Sequence, residues 1–421
     1  MRNSLIMKIA TVATAAVMLA GCGGGGGGSS SSGSSSGGDK PVTLTWFMWS
    51  GSDVEKNAWV HVGDMVTAKY PNIKINFQTT PFNDFWTKLT TQAASGGAAC
   101  IIGLQGQRAP QFGNLLVPLD DYMAKAGVKA SDYVPSITQG LQIDGKQVAL
   151  PYDVGPFVVF YNKDAFKAAG LKEPKQGWTQ EEFLADAKAL TKAPKYGFWA
   201  QSDISAVMPF VLSASGKAAV DVQGKLDVNN PEWKASVQMY ADLVSKDKVS
   251  PQIPSANSSS ASANQFLAGN AYMSLDGPWD LINARAQAKF KVGIAPMPTG
   301  ASGSKTWSDG SGFGITQSCK NPDEAFKAIS VITGSEAETY LGTQGRAYPA
   351  LISTQEAWYK GNNTSDVKPV MDYALENSVP FRTTETWQQV TTVYAKQAVA
   401  TYNGQGTVDD LLSQTQQQGA S

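Results

Sequence analysis

From Pro41 onward, segments of strand and helix type alternate, and this alternation restricts the fold more than any other feature. TLTWFMW (43–49) is rich in β-branched and aromatic residues. The next segment, DVEKNAWVHVGDMVTAKY, sets Val54, Ala58, Val62, Met65 and Val66 on one helical stripe before YPN ends it. IKINFQT (73–79) alternates apolar and polar residues as a strand does, NDFWTKLTTQAAS reads as a helix, and ACIIGL (99–104) as a short buried strand. Strand–helix–strand–helix–strand is the pattern of an α/β layer with a parallel sheet. Later helix starts are well signed. Thr179 and Glu182 are spaced as a capping box, and Asn230–Pro231 and Asn321–Pro322 each offer an N-cap followed by Pro at the first helical position. SANSSSASAN (255–264) reads as a loop or a helix lead-in.

The chain ahead of Pro41 has a different character. Arg2 and Lys8 precede the apolar run IATVATAAVMLA, which is too short to span a bilayer as a permanent helix. Leu19, Ala20, Gly21 and Cys22 resemble a bacterial lipobox, which implies cleavage of a signal peptide (1–21) and lipidation of Cys22. GGGGGGSSSSGSSSGGD follows and buries too little apolar surface to fold. As a coil, this 22–38 tether has an end-to-end distance on the order of 20–25 Å. The expected product is extracytoplasmic and lipid-anchored to the bacterial cell membrane. With Cys22 lipidated, Cys100 and Cys319 remain, and in an oxidising compartment two such cysteines are most simply one disulfide, the alternative being two separate buried thiols.

A net charge of −1 with no basic block excludes nucleic acid as a partner class. One histidine in 421 residues excludes multi-His metal sites and makes a Ser–His–Asp triad untenable. His61 reads as a packing or surface residue, and no phosphate-loop or dinucleotide motif is present. Eleven tryptophans are many, and flat exposed rings suit sugar stacking. Trp46, inside the first strand, reads as core.

A set of motifs then occurs in order: YPNIKINFQ (70–78), LLVPLDDYM (115–123), DGKQVALPYDVGPFVVFYNKD (144–164), MSLDGPWDL (273–281), SGFGITQSCKNPDEAFKAI (311–329) and GRAYPAL (345–351). Together they resemble the extracellular solute-binding proteins of sugar ABC importers, the maltose-binding-like family. The resemblance implies an α/β, two-lobe periplasmic-binding fold of type II kind, with the ligand cleft between lobes joined by three crossovers near residues 150–155, 309–313 and 345–348. Lobe one is then 39–150 plus 313–345 and lobe two 151–312 plus 346–421, with hinge closure on the ligand. It further implies a binding protein and not an enzyme, no cofactor, a monomer, a carbohydrate ligand, and the transmembrane subunits of an ABC permease as partner. A surface glycoside hydrolase using two carboxylates and a receptor for a non-sugar solute stand as alternatives.

Candidate ligand contacts follow from the strand ends, since open α/β sheets bind ligands beyond the carboxyl ends of their strands. Trp49, Ser50 and Ser52 follow the first strand and Gln105, Gln107 and Arg108 the third. Turn chemistry alone would also favour Gly and Ser there, and Arg108 equally suits a lobe–lobe ion pair. The resemblance adds Tyr152 and Asp153 at the first crossover, Trp307 and Asp309 at the second, and Arg346 and Tyr348 at the third. Trp279 and Trp387 match positions where family members stack a sugar ring. Family members often carry an acidic residue where this chain has Ala99–Cys100. The fold implied by the resemblance sets the start of ACIIGL beside the end of GFGITQ, which brings Cys100 and Cys319 within bridging distance.

Overall fold

The computed structural model describes residues 40–254 and 259–419, with the backbone alone at Asn83, Ser259 and Ser260. The expected signal peptide, Cys22 and the tether lie outside the described residues. Strand β1 (Val42–Trp49) leads into helix α1 (Asp53–Lys69), which begins where Ser52 Oγ accepts the Glu55 amide (3.2 Å), with Asp53 and Glu55 in the first turn and Lys69 in the last. Its buried stripe is Ala58, Trp59, Val62 and Val66. Val54 does not belong to it: at 80% exposure it stands one turn beyond the packed face. β2 (Ile73–Thr80), α2 (Phe82–Ala94) and β3 (Ile101–Gln105) follow, and β2 and β3 flank β1 in parallel.

After a two-strand turn at Gln142–Ile143 and Lys146–Gln147 come β4 (Leu150–Pro156) and β5 (Val158–Asn162). The capping box forms as its spacing predicts, Thr179 and Glu182 bonding each other's backbone at the start of Gln180–Leu190. The chain continues through α3 (Ile204–Ser215), α4 (Pro231–Ser245), β6 (Met273–Asp276), α5 (Pro278–Gln287), β7 (Val292–Ala295) and β8 (Thr306–Ile315). Asn230 caps α4 by accepting the Trp233 amide (3.0 Å). The serine-rich stretch enters a helix at Ser259–Leu267. Last come α6 (Pro322–Ile332), β9 (Ser378–Pro380), α7 (Trp387–Tyr402) and α8 (Val408–Gln418). Asn321 precedes α6 without making a side-chain cap bond, so there the first-turn proline alone marks the start.

One sheet runs β9–β8–β3–β1–β2, with β4 also paired to β8, and a second, antiparallel sheet runs β6–β5–β7. Two apolar cores go with them. In the first, the Trp46 ring meets Trp59, Phe77 and Phe313 edge-on at 4.9–5.6 Å, confirming Trp46 as core. Full burial of side chains of this size contributes roughly 1.5–3 kcal/mol each. The second core gathers Phe183, Phe198, Phe210, Trp233, Tyr240 and Leu412 behind the smaller sheet. The first core also runs on through the linking strands to Val158, Phe160, Tyr348, Trp358 and Met371.

The linking strands lie side by side. β4 and β8 pair antiparallel from Leu150–Phe313 to Pro156–Ser308, and the Val154 amide donates to Tyr348 O (3.0 Å) while Ala350 donates to Tyr152 O (3.2 Å). This close approach requires glycine: a Cβ at Gly310 would stand 2.2 Å from Asp153 O. β8 also pairs antiparallel with β3, Ile315 beside Ile101, and Cys100 and Cys319 form a disulfide across the far end of that pair (Cα–Cα 4.5 Å). Among the described residues no helix is long and apolar enough to cross a membrane.

Candidate ligand cleft

The carboxyl ends of β1 and β3 open onto a cavity of about 940 Å³, near the top of the range of about 300–1,000 Å³ usual for small-molecule sites. Trp49 ends β1 and Gln105 ends β3, and Gln107 and Arg108 follow in a single 3₁₀ turn. The linking strands supply Tyr152 and Asp153 from β4, Trp307 and Asp309 from β8, and Arg346. Trp279 begins α5 and Trp387 begins α7, on the opposite wall.

The aromatic lining is ordered. On one wall Trp279 stacks on Phe157 (6.5 Å between centroids), Phe157 on Trp307 (4.5 Å) and Trp307 on Phe381 (4.7 Å), with Trp387 edge-on to Phe381 (5.8 Å). The Trp307 indole N–H donates to Ser205 O (2.8 Å), fixing the ring. Trp279 is 47% exposed and ends this ladder at the mouth, whereas Trp307 and Trp387 are buried. On the facing wall Trp49 and Trp86 pack at 5.5 Å, and Trp86 stacks on Phe112. Such rings offer electron-rich faces to the C–H face of a sugar.

The polar groups sit at the floor. Asp153 Oδ1 accepts the Ser311 amide (2.6 Å), and burial, opposed by this bond, pushes its carboxyl up to about 7. Asp309 Oδ1 accepts the Gln107 amide (3.3 Å), and burial, opposed by the Gly310 and Gln107 amides, pushes it up to about 7 as well. The charge of Asp309 adds to the rise at Asp153, and Arg346 counters it there. Arg346 in turn pairs with the buried Glu55 (2.5 Å). Burial pulls the Arg108 guanidinium below its usual value against the pull of Asp309. Its Cζ lies 5.2 Å from the centre of the Trp86 ring, and its Nη1 donates to Gln388 Oε1 (3.2 Å).

Eleven of the fourteen candidate contacts therefore meet in one cavity: Trp49, Gln105, Gln107, Arg108, Tyr152, Asp153, Trp279, Trp307, Asp309, Arg346 and Trp387. Ser50, Ser52 and Tyr348 lie outside its lining, which corrects their expected position. Ser50 Oγ donates to Ser52 O (2.8 Å) and Ser52 Oγ caps α1, so both hydroxyls serve the strand-to-helix turn. The Tyr348 hydroxyl bonds that of Tyr359 (2.8 Å) within the core. His61 packs on Tyr340 (4.4 Å), and among the described residues no group of acidic, His or Cys side chains is placed to hold a metal. The sequence reading missed Phe82, Trp86, Phe157, Asp203, Phe381 and Gln388, all of which line the cavity. Phe82, Trp86 and Thr90 recur at four-residue spacing on α2, but the buried Phe85 and Leu89 do too, so the spacing alone does not single out the cleft row.

The family model for bacterial extracellular solute-binding proteins matches residues 58–339. The chain belongs to this family. Its members bind solutes and are not enzymes. The fold is similar to that of the ABC substrate-binding protein of Listeria monocytogenes in complex with cycloalternan (22% identity, TM-score 0.79, 90% of this chain and 98% of that one). It is likewise similar to an ABC transporter solute-binding protein of Thermotoga lettingae bound with α-D-tagatose (19% identity, TM-score 0.75, 90% and 98%). In sequence, a binding protein of Brucella abortus is 26% identical over 280 residues, covering 63% of this chain, so the chain spans 66% of the length of that curated relative. A shorter match of 142 residues, 30% of this chain and 32% of the relative, is 34% identical to the sn-glycerol-3-phosphate-binding periplasmic protein of the same organism.

Proposed function

We propose that this family member is the lipid-anchored substrate-binding protein of a carbohydrate ABC importer. It captures a mono- or oligosaccharide by lobe closure and delivers it to the permease. The observation that carries this reading is the pairing, in one cavity, of the Trp279–Phe157–Trp307–Phe381 ladder with the acceptors Asp153 and Asp309. Stacking faces plus carboxylates that accept paired hydroxyl donors are what a sugar ring needs, and the named ligands of several proteins of the same fold are saccharides. The eleven cavity residues named above are the proposed contacts. The lobes divide at the linking strands, as 39–150 plus 313–345 and 151–312 plus 346–421, and the monomer is held to the membrane through Cys22 and its tether.

A thermal-shift and calorimetric screen over a saccharide panel tests the proposal, because a ligand that binds only the folded state raises the melting temperature. Binding without release of reducing ends is the expected result. Failure of every carbohydrate to stabilise the protein at high concentration would overturn it. One observation favours a charged solute: Arg108 Nε is buried and makes no hydrogen bond. Glycerol 3-phosphate therefore belongs in the same panel, and binding of it in preference to every neutral sugar would replace the carbohydrate reading.

A further inference from the structure

The QGQR turn does more than line the cleft. It touches the opposite wall directly, through Arg108 Nη1 to Gln388 Oε1 (3.2 Å) and through Thr383 Oγ1 to Gln107 O (2.7 Å). Gln388 is in the first turn of α7, beside Trp387. The Arg108 guanidinium carbon also stands 5.2 Å from the centre of the Trp86 ring of α2, so one side chain joins the two walls. The turn is held from below as well, since the Gln107 amide donates to Asp309.

The cavity does not end at this bridge. Along α2 the lining residues recur at four-residue spacing, Phe82, Trp86, Thr90, and along α7 they run Trp387, Gln388, Thr391. Thr90 and Thr391 each stand about one helical turn, roughly 5 Å, beyond the bridge residues. The two ends differ in chemistry. Before the bridge lie the aromatic platforms, opening at Phe82 and Trp279, which are 38% and 47% exposed. Beyond it, one turn along each helix, stand the hydroxyls of Thr90 and Thr391, and Thr87 and Gln111 add polar groups to the same lining. One cavity is thus crossed by a charge-assisted hydrogen bond and a guanidinium seated over Trp86, with sugar-stacking surface toward Phe82 and Trp279 and a polar annex toward Thr90 and Thr391.

We propose that the Arg108–Gln388 bridge is the partition that sets how long a saccharide the cleft accepts, an inference that rests on the carbohydrate reading above. A chain entering past Trp279 stacks along the ladder and meets the bridge as an end wall. Opening the bridge joins the annex to the ladder and gives a further sugar unit hydroxyl partners.

Isothermal titration of the full chain with two homologous series of one to six units, α-linked glucose and β-linked mannose oligosaccharides, tests this. The readout is the ratio of Kd values for successive lengths, which cancels any uniform change in affinity. For the wild type, affinity rises to a limiting length and then stops rising. Gln388→Ala removes the acceptor and shifts the limit upward by at least one unit, with about a tenfold gain at that length, the equivalent of about 1.4 kcal/mol. Gln388→Glu makes the bridge an ion pair and strengthens it, so discrimination against longer chains becomes sharper. Gln388 is exposed, which keeps both variants folded, and near-ultraviolet circular dichroism verifies it. Identical length profiles in the three proteins, or shifts of the same sign in both variants, overturn the partition while leaving the carbohydrate reading intact. Absence of binding by the wild type to every member of both series overturns that reading, and the partition with it.

Discussion

Replacing Asp309 by Asn should stabilise this protein at alkaline pH and leave it unchanged in acid. The carboxyl is buried at the cleft floor and its value is raised from 3.8 to about 7, chiefly by burial. A folded value above the unfolded one means that the folded chain keeps the proton between about pH 4 and 7, where the unfolded chain has released it. Stability therefore falls as pH rises through that window, by about 1.4 kcal/mol per pH unit, and levels off above about 7. Over the full window this single group costs about 4 kcal/mol as an upper figure. Asn keeps an oxygen to accept the Gln107 and Gly310 amides and removes the charge, so the penalty disappears with the carboxylate. Asp153 gains too, because the charge of Asp309 is one of the forces raising it. Urea unfolding of wild type and Asp309→Asn at pH 5, 6, 7 and 8 measures the difference, and contributions from every other titrating group largely cancel in it. We expect the variant to gain on the wild type steadily from pH 5 to 7 and then hold its advantage. A stability difference that stays constant across this range would refute the reasoning, since the carboxylate would then pay no desolvation penalty. Saccharide affinity in the wild type should move the opposite way, rising with pH over the same window, because the ionised carboxylate accepts sugar hydroxyls at both oxygens.

Three further outcomes are expected. Trp279→Ala, at the exposed end of the ladder, should weaken saccharide binding by about tenfold, the worth of one stacked ring, with a melting temperature close to the wild-type value by calorimetry; unchanged affinity would remove Trp279 from the site. Titration of the unreduced, unfolded domain with a thiol reagent should find Cys100 and Cys319 unreactive, and Cys100→Ser with Cys319→Ser should lose up to about 5 kcal/mol in denaturant unfolding, given their sequence separation of 219. Gly310→Ala forces a methyl group against Asp153 O and should destabilise by at least about 3 kcal/mol, because backbone rather than a side chain must yield; a cost below about 1 kcal/mol would mean that the linking strands separate easily.

Which residues of the cleft were legible in the sequence depends on whether one local pattern had a single physical use. Trp279 was readable because Gly-Pro-Trp falls in the motif order, and Trp387 because it matches a stacking position of the family; both stand in the first turns of their helices, α5 and α7. Trp49-Ser50-Gly51-Ser52 was ambiguous because the same small residues serve a ligand loop and a helix cap. Here Glu55 decides between them: its amide is capped by Ser52 and its carboxylate binds the Gly51 amide and Arg346. Helix α2 poses the opposite difficulty. Its apolar residues fall on two adjacent rows, and an amphipathic reading merges them into one core face. In the folded chain Phe85 and Leu89 are fully buried, while Phe82, Trp86 and Thr90 turn toward the cleft. Nothing local separates these rows, because the distinction is made by what stands opposite: β1 for one, Arg108 for the other. The Arg108–Gln388 bond spans 280 residues of sequence and joins two walls that only the folded linking strands bring face to face. Strand and helix periods therefore report which side of an element is dry. Which dry or half-dry row faces a ligand is decided by the partner across the cleft, and no single segment carries that information.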